Sequence, residues 1–101
     1  MKEYYIASLI KNGILGGWIK ADAEKIIYGT GKVTVTPDMK HIEMKYTDIQ
    51  GYSFKRTLLF PVFSIIMNNG NTHRFIVFGS GGFRSLLDSK LNHSSEIEKE
   101  D

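Results

Sequence analysis

Apolar residues recur along this chain in short runs, rich in Ile, Val, Tyr, Phe and Thr and cut by turn residues. That pattern predicts strands rather than long helices. The runs place strands at 3–10, 15–22, 24–29, 32–36, 40–45, 50–56, 62–68 and 72–78. Asn69-Gly70 lies between two apolar runs and is the clearest turn signal, predicting a type I′ hairpin with positive φ at both positions. Thr36-Pro37-Asp38 is a second turn signal, with Pro presetting φ and Asp able to bond its own backbone.

The last two runs are apolar in both registers. Phe63, Ile65 and Met67 alternate with Val62 and Ile66, and Phe75 and Val77 with Ile76 and Phe78. Such strands need cover beyond a one-faced sheet. The cover expected is the segment that follows. Phe83, Leu86, Leu87 and Leu91 recur at the spacing of an amphipathic helix, with Ser80 as its N-cap. Phe83, Leu86 and Leu87 should be buried against Phe75 and Val77. No internal repeat or linker divides the chain, so residues 1–91 read as one domain and 92–101 as a tail.

Between the last strand and the helix stands Gly79-Ser80-Gly81-Gly82-Phe83-Arg84. Strand, glycine turn and helix together suggest a phosphate loop. The third glycine of the dinucleotide fingerprint is missing, as is the Gly-Lys-Ser/Thr ending of a P-loop. A polar tail follows the helix, and no parallel strand is expected to complete a βαβ unit. The glycines read as a tight strand exit, and no cofactor is expected.

Charge sharpens the division at residue 91. The chain carries +2, but Glu96, Glu98, Glu100 and Asp101 against Lys99 give the tail −3, leaving +5 on residues 1–91. With one large apolar residue and no periodicity, the tail is expected to be disordered. A mildly basic body suits an anionic partner but lacks the dense basic stripe of a nucleic-acid binder. Cysteine is absent, which removes disulfides, thiol nucleophiles and cysteine-bound zinc. No apolar run approaches the roughly 20 residues of a membrane span, and the first residues lack the form of a signal peptide. A cytosolic setting is expected.

Candidate chemistry is sparse. His41, His73 and His93 share no metal-ligand spacing; His93 falls in the tail and His41 and His73 read as surface or edge residues, so no metal site is expected. No Gly-x-Ser-x-Gly elbow occurs. Asp22 with Glu24, like Glu96 with Glu98, has no cleft to make it a catalytic pair. The expectation is a protein that is not an enzyme. The lone Trp18 reads as core, and one helix is too few for an RNA-binding βαββαβ domain. A candidate binding group is Lys55, Arg56, Leu58, Leu59 and Phe60, two cations beside apolar residues.

The order of strands and closing helix resembles the pleckstrin-homology-like superfold, and within it the GRAM-like domains, particularly small bacterial ones. Gly16-Gly17-Trp18-Ile19 is similar to that family's Gly-Gly-apolar first core strand, and Ile26-Ile27-Tyr28 to its short second strand. Tyr46-Thr47-Asp48-Ile49 resembles its apolar-x-Asp-Ile turn, with Lys45 where proline is common. Phe60-Pro61-Val62-Phe63 matches a proline-marked hairpin. Asn69-Gly70 with His73-Arg74-Phe75-Ile76-Val77-Phe78 matches the strand ending, and Phe83 opens the closing helix.

The resemblance implies a mainly β fold, a bent antiparallel barrel capped by one C-terminal helix. It implies a module that binds membranes, phosphoinositides or proteins and does not catalyse. The pleckstrin-homology lipid motif is not continued here: Lys20-Ala21-Asp22-Ala23-Glu24-Lys25 carries two acids and lacks the terminal arginine. The expected partner is therefore a protein, including a second copy of the chain. The alternative is anionic membrane lipid, held through the 55–60 hairpin.

Overall fold

The computed structural model describes residues 3–32, 34–57 and 60–99, with side chains described as far as Leu91. Seven strands form one antiparallel sheet: β1 (Glu3–Ile10), β2 (Ile14–Ala21), β3 (Lys25–Gly29), β4 (His41–Lys45), β5 (Ile49–Thr57), β6 (Phe60–Met67) and β7 (Thr72–Val77). A four-residue helix, α1 (Pro37–Lys40), precedes β4, and a long helix, α2 (Ser80–Lys99), ends the chain. The strand order is β4-β3-β2-β1-β7-β6-β5. Consecutive hairpins build both halves, and the β1–β7 pairing joins them, with Ala7 opposite Val77 and Leu9 opposite Phe75. This is a mainly β, pleckstrin-homology-like half-barrel capped by a C-terminal helix.

The sheet has one well-buried face. Ala7 and Leu9 from β1, Ile19 from β2, Tyr28 from β3, Met44 from β4, Phe63 and Ile65 from β6, and Phe75 and Val77 from β7 alternate inward. Phe83 and Leu87 of α2 enter the same core, as their spacing predicts. Phe83 meets the rings of Tyr5 and Phe63 edge-on, with centroids 5.1 and 4.9 Å away. The helix therefore plugs the inside of the half-barrel.

Several expected details differ. Lys32 and residues 34–36 form no strand; β4 instead pairs with β3, from Lys25–Lys45 to Gly29–His41. Thr30 instead turns the chain: its hydroxyl donates to the Gly16 carbonyl at 2.7 Å and its N–H to that of Lys40 at 3.2 Å. Val33 lies outside the described residues. Asn69-Gly70 sits in a four-residue loop where only Gly70 takes positive φ, 95°. The Asn-Gly pair with both φ positive is Asn12 (56°) and Gly13 (125°), which turns β1 into β2.

Helix α2 is capped by glycine rather than by Ser80. The Phe83 N–H donates to the Gly79 carbonyl at 3.1 Å, and Gly79 has φ 82°, a conformation that favours glycine. The glycine loop is thus a strand exit folded against the Tyr5 ring, 3.6 Å from where a Gly79 Cβ would stand. The α2 backbone continues to Lys99, where a disordered tail was expected from residue 92.

Candidate binding surface on the outer face of the sheet

Alternation along each strand sends every second side chain away from the core. On β1 these are Tyr4, Ile6, Ser8 and Ile10; on β2 they are Ile14, Gly16, Trp18 and Lys20. Helix α2, the cover expected for the second face of β6 and β7, packs on the inner face instead. Tyr4, Ile6, Ile14, Trp18, Phe60 and Phe78 remain between 43 and 70% exposed.

The register joins four of them into a row. Ile6 pairs with Trp18 across β1 and β2. Phe78, just beyond β7, donates its N–H to the Ile6 carbonyl at 2.9 Å. Val62 pairs with Ile76, so Phe60 comes opposite Phe78 one step further along the ladder. Trp18, Ile6, Phe78 and Phe60 therefore cross the outer face side by side, with Tyr4 flanking Ile6. Taking about 200 Å² for a large side chain, these five leave on the order of 500 Å² open. That is near the upper end of the largest apolar patch on a typical monomer, about 300–600 Å².

Glycine holds the indole in place. Trp18 pairs with Gly29, and a Cβ at Gly29 would stand 2.4 Å from the Trp18 ring. The ring lies over the bare backbone of β3. Trp18, expected in the core, is a surface residue: its neighbours Gly17 and Ile19 take the inward positions.

The rim is cationic. Lys20, Lys25, Lys45, Lys55 and Arg74 occupy outward strand positions. Among the described residues, Glu43 is the one carboxylate at such a position, and Lys25 and His41 hold it at 3.1 and 3.0 Å. These contacts keep the Glu43 carboxyl below its usual range, the His41 hydrogen bond contributing most.

The structure divides the candidate group on β5 and β6. Lys55 points outward beside Val62, its ladder partner. Arg56 takes the opposite face, with its guanidinium 5.9 Å from the Phe54 ring, which Arg84 of α2 also covers at 4.8 Å. Phe60 joins the outer row. Leu58 and Leu59 lie outside the described residues. The two cations thus do not form one patch, and Phe60 finds its companions on β1 and β2. Sequence reasoning missed Tyr4, Ile6 and Phe78 as surface residues because only the β1–β7 pairing brings them together.

A second feature opens at the end of the half-barrel near the β1–β2 and β6–β7 turns. Leu9, Lys11, Asp38, Ile42, His73 and Arg74 line a cavity of about 420 Å³. Lys11 bonds Asp38 at 3.2 Å. Half-buried His73 faces this space, and its pKa is lowered, first by burial and then by the Lys11 charge. A histidine held neutral in the fold binds its proton more readily when unfolded. Stability is then full above the unfolded value of about 6.5 and falls as pH drops toward the lowered folded value. Melting temperature is expected to decline across that interval in the parent protein and to decline less in His73→Gln. Equal slopes in the two proteins would show that His73 does not contribute.

No protein-family model matches this chain, and no curated protein matches it. Among solved structures it is similar to the C-terminal domain of an unknown protein from Leishmania infantum, with a TM-score of 0.73 and 10% identity, covering 88% of this chain and 81% of that one. At that identity the likeness concerns the fold. Among the described residues, no helix is long and apolar enough to cross a membrane.

Proposed function

We propose that this chain is a non-catalytic binding module of the GRAM-like, pleckstrin-homology-like kind, acting through protein–protein contact on the outer face of its sheet. The observation that carries this reading is the open row of Trp18, Ile6, Phe78 and Phe60. Trp, Tyr and Phe are the residues enriched where proteins meet, and large contiguous apolar patches mark such contacts. The indole seated over Gly29 loses little further freedom on binding, which favours association.

A second reading is anionic membrane lipid. It is favoured by the cations Lys20, Lys55 and Arg74 around aromatic residues, each worth about 1 kcal/mol near an anionic surface. Photocrosslinking in cells separates the two. A photoreactive amino acid replacing Tyr4 is expected to give covalent protein adducts, while one replacing exposed Asn69 at the barrel end gives none. Adducts to lipid alone, with co-sedimentation of the parent protein on phosphatidylserine vesicles that added salt reverses, would establish the membrane reading instead.

A further inference from the structure

Beside the apolar row runs a second, lower one. It consists of Gly16, Ser8, Ile76 and Val62 on the same four strands, β2, β1, β7 and β6. Gly16 has open space where a Cβ would be. Ile76 points outward yet is only 6% exposed, so its neighbours stand above it. The outer face thus carries a ridge of large side chains and, one step along the strands, a trough of small or recessed ones.

We infer that this ridge and trough are the two halves of a self-complementary interface, and that the protein the outer face binds is a second copy of this chain. The inference rests on the protein-contact reading above. A twofold axis lying between the rows and parallel to them sets each strand over its own copy. Trp18 then falls over the second copy's Gly16, Ile6 over its Ser8, and Phe78 over its Ile76, and each contact is made twice. The same axis keeps the cations apart: Lys20 meets Ile14, and Lys55 meets Thr57. The contact is face-to-face sheet packing at about 10 Å, the geometry of β-sandwiches. On area, the order of 500 Å² of open apolar side chain compares with the roughly 800 Å² that each partner contributes to a standard interface. The ratio, about three-fifths, is the apolar share such interfaces carry.

The full chain, purified and examined by sedimentation velocity over a wide concentration range, is expected to approach twice its 11.5 kDa mass. Ile6→Lys removes a ridge residue and Gly16→Lys fills the trough, where an added Cβ meets no atom within 4 Å. Each should raise the dissociation constant at least about tenfold with the circular dichroism spectrum unchanged. The absence of native cysteine allows a test of register. Ile6→Cys and Ser8→Cys chains, mixed in equal amounts and treated with a short bis-methanethiosulfonate crosslinker that bridges the gap between facing sheets, should be joined to one another in preference to either like pair. A protein that stays monomeric at every concentration overturns the inference, and so does a dimer that Ile6→Lys and Gly16→Lys leave intact or that the crosslinker joins only through like pairs. A monomer whose Tyr4 position still yields adducts to a different protein would leave the broader binding reading standing.

Discussion

Phe83→Ala is expected to cost about 3–5 kcal/mol of folding stability, the range for truncating a buried phenylalanine. Phe83 is fully buried and is the point where α2 meets the sheet. Its ring lies edge-on to Tyr5 from β1 and to Phe63 from β6, at 5.1 and 4.9 Å. Each edge contact contributes about 0.5–1.5 kcal/mol beyond the area it buries. The two partners come from opposite halves of the half-barrel, so the cavity left by truncation lies where those halves meet the helix. Domains of this size are stable by about 5–15 kcal/mol, and the loss is a large share of that. Urea unfolding followed by far-UV circular dichroism should show the midpoint falling sharply. An unchanged midpoint would mean that α2 does not close the core.

Gly17→Ala is expected to destabilise the fold by about 1–3 kcal/mol, the cost of overpacking. Gly17 faces inward on β2, and a Cβ there would stand 2.1 Å from the Gly29 carbonyl oxygen and 2.9 Å from the Tyr28 hydroxyl. The first obstacle is backbone and cannot swing aside. The second is a buried group whose O–H donates to the Leu15 carbonyl at 2.6 Å, and displacing it would give up about another 1 kcal/mol. The entropic gain of alanine in the unfolded chain, about 0.4–1 kcal/mol, is too small to offset this. Gly16, one residue earlier, faces outward into open space, so Gly16→Ala should be neutral or slightly stabilising. Thermal melts of the two variants should move in different directions or by clearly different amounts. Equal shifts would show that β2 and β3 do not approach at Gly17 as closely as described.

This glycine pair shows how far the sequence reaches. The alternation of apolar and polar positions determined that the chain makes short strands, and the Phe83, Leu86, Leu87 and Leu91 spacing determined a closing helix with an apolar stripe. Both are local: they follow from the periods of two and 3.6 residues that the backbone imposes. The burial of Phe83 and Leu87 with Phe75 and Val77 was legible for the same reason, as was the strand-exit role of Gly79.

Other features depend on which strands become neighbours, and that is decided by long-range pairing. The KVTVT run has the composition of a strand, but it is β4 that pairs with β3. The apolar second faces of β6 and β7 signalled cover, yet only the assembled sheet shows that α2 lies on the other side. Lys55 and Arg56 are adjacent in sequence and point to opposite faces, because neighbouring strand residues always do. Trp18, Ile6, Phe78 and Phe60 are scattered between residues 6 and 78 and become one row only when β1 pairs with both β2 and β7 and β7 pairs with β6. Periodicity tells each strand which residues share a face; it carries no information on which face another element will cover, and that choice made the candidate surface.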